Sequence, residues 1–272
     1  MAEALALKMG RYHDLIDRLA HIPGFGRECL GHVGSPSSDY PFYRVHSQGI
    51  SRGEALRRIC LAAGVHGDEP AGVEAVVRFL EKKPNFDGSI FLSAFPCLNP
   101  MGYDRGTREN GEGIDLNREF HQRHPPQEVL WARQAASKDR YDLFICCHDD
   151  VDANGFYLYE AKRERGPGLG PSIVSAIREV APIDRRPTID GRTNHGGVIR
   201  PTNWHRRTTG WSMALYLYKL GTPHCLILET PTSLPFEEQV RIHLKALDHV
   251  FASFLEGRFG SGSAGRGKGP HH

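Results

Sequence analysis

The stretch that decides the fold is Arg58-Ile59-Cys60-Leu61-Ala62-Ala63-Gly64-Val65-His66-Gly67-Asp68-Glu69-Pro70, followed by Ala71-Gly72-Val73-Glu74-Ala75-Val76-Val77-Arg78-Phe79-Leu80. The opening apolar run has the pattern of a strand buried on both faces. The second segment reads as a helix with Pro70 at or near its first turn, where a missing N–H costs nothing. In an open α/β sheet, such a strand-to-helix turn lies at the carboxyl edge, where ligands bind. This turn carries His66 and Glu69, an imidazole and a carboxylate suited to zinc, which takes N and O ligands at about 2.0–2.2 Å. Two ligands do not make a site.

Outward from this stretch, apolar periodicity predicts a helix over residues 12–20, stopped by Pro23-Gly24, and edge strands with turns over 31–51. The strand over 58–63 and the helix over 70–83 precede a strand over 89–96. Residues 104–127 have no apolar period, and so long a loop inside a domain is usually functional. A helix over 128–137 leads to a buried strand, 141–147, ending at His148. Residues 155–159 alternate like a strand, and 171–180 read as a helix with Ser172 as a cap. The stretch 184–210 is polar and irregular. A helix over 211–220, a strand over 225–228 ending at Glu229, and a long helix over 235–255 complete the pattern. Strands alternating with helices imply an α/β sandwich with both sheet faces covered. The expectation is a single domain over 1–256 and a Gly-rich, disordered tail over 257–272.

Composition bounds the function. Lys+Arg of 34 against Asp+Glu of 32 gives a net charge of +2, too balanced to argue for nucleic acid or an acidic membrane. No stretch approaches the roughly 20 apolar residues of a membrane span. Cys60, Cys146, Cys147 and Cys225 sit in apolar strand-like runs, where a thiol acts as a small hydrophobe. Adjacent Cys146 and Cys147 point to opposite sheet faces, so they neither bond each other nor share a metal. Reduced cysteines and the absence of a signal-like N-terminus favour the cytoplasm.

Three predicted strands end at polar residues: His66 with Glu69, His148, and Glu229. If the strands run side by side in the same sense, these groups converge. Three protein ligands with one open position is the pattern of catalytic zinc, and a further carboxylate is then free to act as a base. Each residue alone has a plainer reading, as a turn residue or a strand-end cap. Together, four ionisable groups at apolar strand ends are costly unless used.

The loop Asn99-Pro100-Met101-Gly102-Tyr103, then Arg108, then Asp115-Leu116-Asn117-Arg118-Glu119-Phe120, carries a family resemblance. With His66-x-x-Glu69, His148, and Leu226-Ile227-Leu228-Glu229-Thr230, it resembles the M14 family of zinc carboxypeptidases over roughly residues 10–255. The resemblance implies a three-layer α/β/α sandwich on a mixed, twisted sheet and one Zn²⁺ per chain held by His66, Glu69 and His148. It further implies Glu229 as the base for the attacking water and Arg108 as stabiliser of the oxyanion. Asn117 and Arg118 would clamp a terminal carboxylate, and Asp115 would accept the second N–H of His66.

Digestive-type members place a mobile Tyr before the catalytic Glu, and no counterpart is visible here. The 191–211 stretch offers His195, Arg200, Trp204, His205 and Arg206 instead. Asp149, Asp150 and Asp152 either read a cationic group on a substrate or form a solvated turn. The resemblance therefore implies cleavage of a C-terminal amide bond, of carboxypeptidase or murein-peptide-amidase type. The alternative is an N-acyl amino acid deacylase of the succinylglutamate desuccinylase/aspartoacylase branch, whose Arg-to-Asp spacing tends to be shorter than the seven residues from Arg108 to Asp115. A zinc-binding pseudoenzyme acting as an interaction module would be expected to lack the Glu or the Arg, and both are present. The implied partner is a peptide or acyl-amino-acid substrate with a free carboxylate.

Overall fold

The computed structural model describes residues 11–35, 38–48, 57–82, 90–163, 167–202 and 210–255; the predicted tail over 257–272 lies outside them. Ten strands are found among these: β1 (Phe25–Ser35), β2 (Ser38–Ser47), β3 (Arg57–Ala63), β4 (Ile90–Phe95), β5 (Leu143–Asp150), β6 (Tyr157–Lys162), β7 (Thr188–Ile189), β8 (Arg192–Thr193), β9 (Val198–Ile199) and β10 (His224–Pro231). The helices are α1 (Arg11–Ala20), α2 (Pro70–Glu81), α3 (Pro100–Arg105), α4 (Gln127–Ala136), α5 (Gly170–Ile177), α6 (Met213–Leu220) and α7 (Phe236–Leu255).

Eight strands form one sheet in the order β1-β2-β4-β3-β5-β10-β6-β9, and β7 with β8 make a separate ribbon. The centre, β4-β3-β5-β10, is parallel, and the flanks include antiparallel pairs, so the sheet is mixed as expected. Alternation along the central strands splits the core. Ile59, Leu61, Ala63, Leu143, Ile145 and Cys147 pack with α1, α2, α5 and α7. Cys60, Ala62, Phe144 and Cys146 face the layer that includes α4 and α6. Cys146 and Cys147 thus lie on opposite faces, and all six cysteines are free. Burying each Leu, Ile or Phe contributes about 2 kcal/mol, which makes this two-sided core the main stabilising term.

Several expected boundaries move. The N-terminal hairpin starts at Phe25, directly after Pro23-Gly24, so β1 and β2 pair over a longer span than the turn residues suggested. Strands β5 and β10 continue past His148 and Glu229, because they pair residue for residue from Leu143↔His224 to Asp150↔Pro231. The two functional candidates therefore sit inside the ladder rather than at its end. Ser212, not Trp211, starts α6: its side chain accepts the Leu215 N–H. Ser172 does not cap α5; the N-cap is Leu169, and the Ser172 hydroxyl donates to the Leu169 carbonyl. The irregular 184–199 segment is held by Asp184, which accepts from the Asn154 and Arg186 N–H groups and pairs with the Arg186 guanidinium.

Candidate metal centre and its cavity

The parallel order β3-β5-β10 brings the three predicted segments together at one sheet edge. β3 ends at Ala63, and the chain turns through Gly64 (φ +62°) to place His66 and Glu69 above the edge. Gly67 is required there: a Cβ at this position would lie 1.9 Å from the carbonyl carbon of Gly102. Gly72 likewise lets α2 approach β5, where a Cβ would meet that of Cys147 at 2.9 Å.

His66, Glu69 and His148 are all buried, and their candidate ligand atoms lie within 4.8 Å of one another. His66 Nδ1 is 2.5 Å from Glu69 Oε1, and His148 Nδ1 is 2.7 Å from Glu69 Oε2. Both rings turn the same nitrogen to the shared carboxylate and the other nitrogen outward. His66 Nε2 lies 3.3 Å from Asp115 Oδ1, and His148 Nε2 lies 3.3 Å from Cys146 Sγ. The Asp115 contact is the one expected from the sequence. The thiol was not anticipated, although residues i and i+2 of a strand share a face.

The Asn99 loop delivers the cations. Asn99 accepts the Gly102 N–H at the start of α3 and donates to the Arg108 carbonyl at 3.2 Å, fixing where Arg108 leaves the loop. Asp104 accepts from the Tyr12 N–H and the Tyr40 hydroxyl, tying α3 to the N-terminal elements. The Arg108 guanidinium reaches Glu69 at 3.5 Å and Asp115 at 3.3 Å. Asp115 also caps the short 3-10 turn Leu116–Arg118 by accepting the Asn117 N–H, so one carboxylate orients His66 and starts the turn bearing Asn117 and Arg118. Backbone hydrogen bonds between Arg118 and Trp211, and between Phe120 and Trp211, fasten that turn to the start of α6.

A cavity of about 840 Å³ opens over the trio. Its lining includes Arg108, Asn117, Arg118 and Glu229 besides the three ligand candidates. It also holds residues that the sequence reading missed: Tyr157, Tyr159, Asp190 and Arg192. Tyr157 donates to Asp150 at 2.8 Å and Tyr159 to Asp190 at 2.6 Å. The period of the 155–159 run put the two tyrosines on one face, but only the sheet order decides that this face looks into the cavity. Asp190 has φ +50° in the β7–β8 turn, a conformation that Asp tolerates better than most residues.

The other expectations for this region divide. Asp149 is neither a solvated turn residue nor free to read a substrate: its carboxylate is buried and bonded to the Ala71 N–H and to His243. Asp150 is engaged by Tyr157, whereas Asp152 is exposed on the cavity rim. Arg200 is paired with buried Glu160, His195 does not line the cavity, and Trp204, His205 and Arg206 lie outside the described residues.

Charge at the centre is unevenly matched. Burial pushes the Glu69 carboxyl up, but the two histidines outweigh it and hold it well below the usual range. Burial works against a low Asp115 value too, and His66, Arg108 and Arg118 overcome it. Glu229 goes the other way: burial raises it strongly, and Glu69, Asp150 and Asp149 add to the rise against His148. Crowded carboxylates beside two inward-facing imidazole nitrogens form an environment that a divalent cation would relieve. The donor set of two N and one carboxylate suits Zn²⁺.

Residues 55–145 match a family model described as the succinylglutamate desuccinylase/aspartoacylase catalytic domain. The match spans His66, Glu69, Arg108, Asp115, Asn117 and Arg118, and stops short of His148 and Glu229. An uncharacterized protein of Zymomonas mobilis subsp. mobilis is 32% identical over 162 residues, covering 52% of this chain and 38% of that protein. Carboxypeptidase SOL1 of Arabidopsis thaliana is 30% identical over 118 residues, covering 39% of this chain and 24% of that protein. The matched regions thus span well under half the length of these curated relatives. Among solved structures, a "putative metallopeptidase" of Shewanella baltica OS155 superposes with a TM-score of 0.74 at 25% identity, over 89% of this chain and 90% of that one. The chain has the α/β fold of the metallo-carboxypeptidases, and the resemblance drawn from its sequence holds.

Proposed function

We propose that this chain is a zinc-dependent hydrolase that cuts a C-terminal amide bond in a substrate ending in a free carboxylate, of carboxypeptidase or murein-peptide-amidase type. The observation that carries this reading is the meeting of His66, Glu69 and His148 beside Glu229 in one cavity. His66, Glu69 and His148 would hold one zinc ion. When bound, zinc would supply Lewis acidity and lower the pKa of water to about 7, so that a nucleophile is available at neutral pH.

The remaining steps belong to side chains. Glu229, beside His148 in the strand register and lining the cavity, takes a proton from the attacking water and delivers it to the leaving amine. Arg108 meets negative charge as it develops on the carbonyl oxygen. Asn117 and Arg118 hold the terminal carboxylate, with the guanidinium offering a two-pronged N–H fork. Asp115 keeps His66 oriented.

A second reading has its own support. The family match over residues 55–145 favours an N-acyl amino acid deacylase using the same residues, with an acyl group in place of the peptide. An interaction module without catalysis is disfavoured because Glu229 and Arg108 are both present in the cavity. Among the described residues no helix is long and apolar enough to cross a membrane. Six unpaired thiols fit a cytoplasmic setting, and residues 1–256 are proposed as one domain.

The deciding experiment is a release assay on zinc-loaded protein with murein tripeptide, ordinary peptides and N-acyl amino acids. Turnover of either peptide class supports the first reading, and turnover of acyl amino acids alone supports the second. No hydrolysis of any, with one zinc bound per chain, would overturn both.

A further inference from the structure

Asp149 follows His148 in β5, and alternation turns its side chain to the opposite side of the strand, toward α2 and α7. Both carboxylate oxygens are used. Oδ2 accepts the Ala71 N–H at 2.9 Å, in the first turn of α2, and Oδ1 lies 3.0 Å from Nε2 of His243 on α7. The two side chains are wholly buried. The Asp149 backbone N–H donates to Glu69 Oε2 at 3.3 Å. His243 Nδ1 is buried and has no hydrogen-bond partner among the described residues, so the ring's one polar commitment is to Asp149.

A buried carboxylate is expensive unless its bonds serve something. Here they tie together the two chain segments that supply ligands. α2 begins at Pro70, directly after Glu69, with Ala71 in its first turn, and the strand carries His148. Neither Asp149 nor His243 is placed to act on a substrate through a free polar group.

We propose that the Asp149–His243 pair is a positioning device for the metal centre, with His243 anchoring the carboxylate that locks the Glu69 turn to the His148 strand. This rests on the zinc-site reading above. His243 fixes the rotamer of Asp149. Asp149 in turn holds the first turn of α2, and with it the spacing of Glu69 from His148. Without His243 the carboxylate can swing off the Ala71 N–H, and the trio loses its preset spacing.

The test measures zinc affinity by competition with a chelator, alongside the absorption spectrum of the Co²⁺-loaded protein and the melting temperature of the metal-free protein. His243→Leu removes the anchor; His243→Gln keeps an N–H able to reach Asp149. Leu247→Ala, a core change on the same helix, controls for general loosening of α7. The expected result is a 10–100-fold loss of zinc affinity with an altered Co²⁺ spectrum in His243→Leu. Recovery to within about threefold in His243→Gln and near wild-type affinity in Leu247→Ala complete the expected pattern. If His243→Leu does not fold, His243→Asn, too short to reach Asp149, takes its place in the comparison. Wild-type affinity and spectrum in the anchor-less variant, or equal losses in it and in Leu247→Ala, would overturn the proposal. Wild-type protein that takes up no zinc would instead overturn the functional reading itself.

Discussion

Glu229 and His148 are direct register partners in the parallel pairing of β10 with β5. Neighbouring strands lie about 4.8 Å apart, so the candidate base and a candidate ligand are held side by side by the backbone ladder itself. Their relative position does not depend on any loop. The candidate base and ligand are thereby set in the parallel centre of the sheet, while Arg108 and Arg118 come from the loop that packs over it.

That arrangement predicts a clean separation of roles. Glu229→Gln keeps the side-chain volume and the strand but removes the group that takes a proton. Turnover should fall by about 10²–10⁴-fold while zinc content, measured by elemental analysis, stays at one per chain. Unchanged turnover would remove Glu229 from the reaction.

Asp115 supports both His66 and the turn carrying Asn117 and Arg118. Asp115→Ala should weaken zinc binding by about 10–100-fold and also raise KM. A chelator titration together with steady-state kinetics reads both effects. Weaker zinc binding with an unaltered KM would mean that the turn does not need its cap.

Arg118 is half-exposed on the cavity wall, with Asp115 4.0 Å away as its nearest ionic partner. Substrates with an amidated C-terminus should be cleaved roughly 10–100-fold less efficiently than those with a free carboxylate, the value of one charge-assisted hydrogen-bonded contact. In Arg118→Gln that discrimination should largely vanish. Equal rates on both substrates in the wild type would argue against the clamp.

Gly210 sits against the same residue: a Cβ there would lie 2.3 Å from the Arg118 carbonyl oxygen. Gly210→Ala should therefore push the Arg118 turn out of place and raise KM severalfold, with a stability cost of about 1–3 kcal/mol. Kinetics and a thermal melt on one preparation separate the two. A variant with wild-type KM would show that the turn yields without moving the guanidinium.

A pH-dependent contribution to stability is expected away from the metal. Burial pushes the Glu160 carboxyl up, but His224, the Gly170 N–H and Arg200 outweigh it and bring it down to about 2. The folded value lies below the unfolded one of about 4.3, so the stabilisation is complete above that value and is lost as pH falls toward 2. Glu160→Gln should cost about 3 kcal/mol at pH 6 and progressively less below pH 4, measured by denaturant unfolding. A cost independent of pH would assign the effect to packing alone.

Much of this molecule was legible in the chain because its signals are local. The apolar run of β3, Pro70 at the first turn of α2 and the spacing of Leu15, Ile16 and Leu19 on α1 each specify an element from a few neighbouring residues. His66 and Glu69 stood out because they follow an apolar strand, and Arg108 and Asp115 because their loop resembles that of the M14 zinc carboxypeptidases. Tyr157, Asp190 and Arg192 did not stand out. Alternation says that Tyr157 and Tyr159 share a face, yet which face meets the cavity follows from β6 lying beside β10, a pairing set by residues some 70 positions apart. Asp149 was misjudged for the same reason. It lies among the acids Asp150 and Asp152 after His148, but its partners are Ala71 and His243, on two other elements.

By itself the sequence determined the periodicities, the turns, and an ordered set of candidate metal-ligating and ionisable side chains, because those depend on short-range sterics and on residue chemistry. Only the tertiary structure decided that β3, β5 and β10 are adjacent and parallel, which turns His66, Glu69, His148 and Glu229 from separate polar residues into one centre. The strand order also decided the rest of the cavity wall and the buried Asp149–His243 contact. Convergence of this kind is a property of which elements pack together, and long-range packing is set by the whole core rather than by any one stretch of chain.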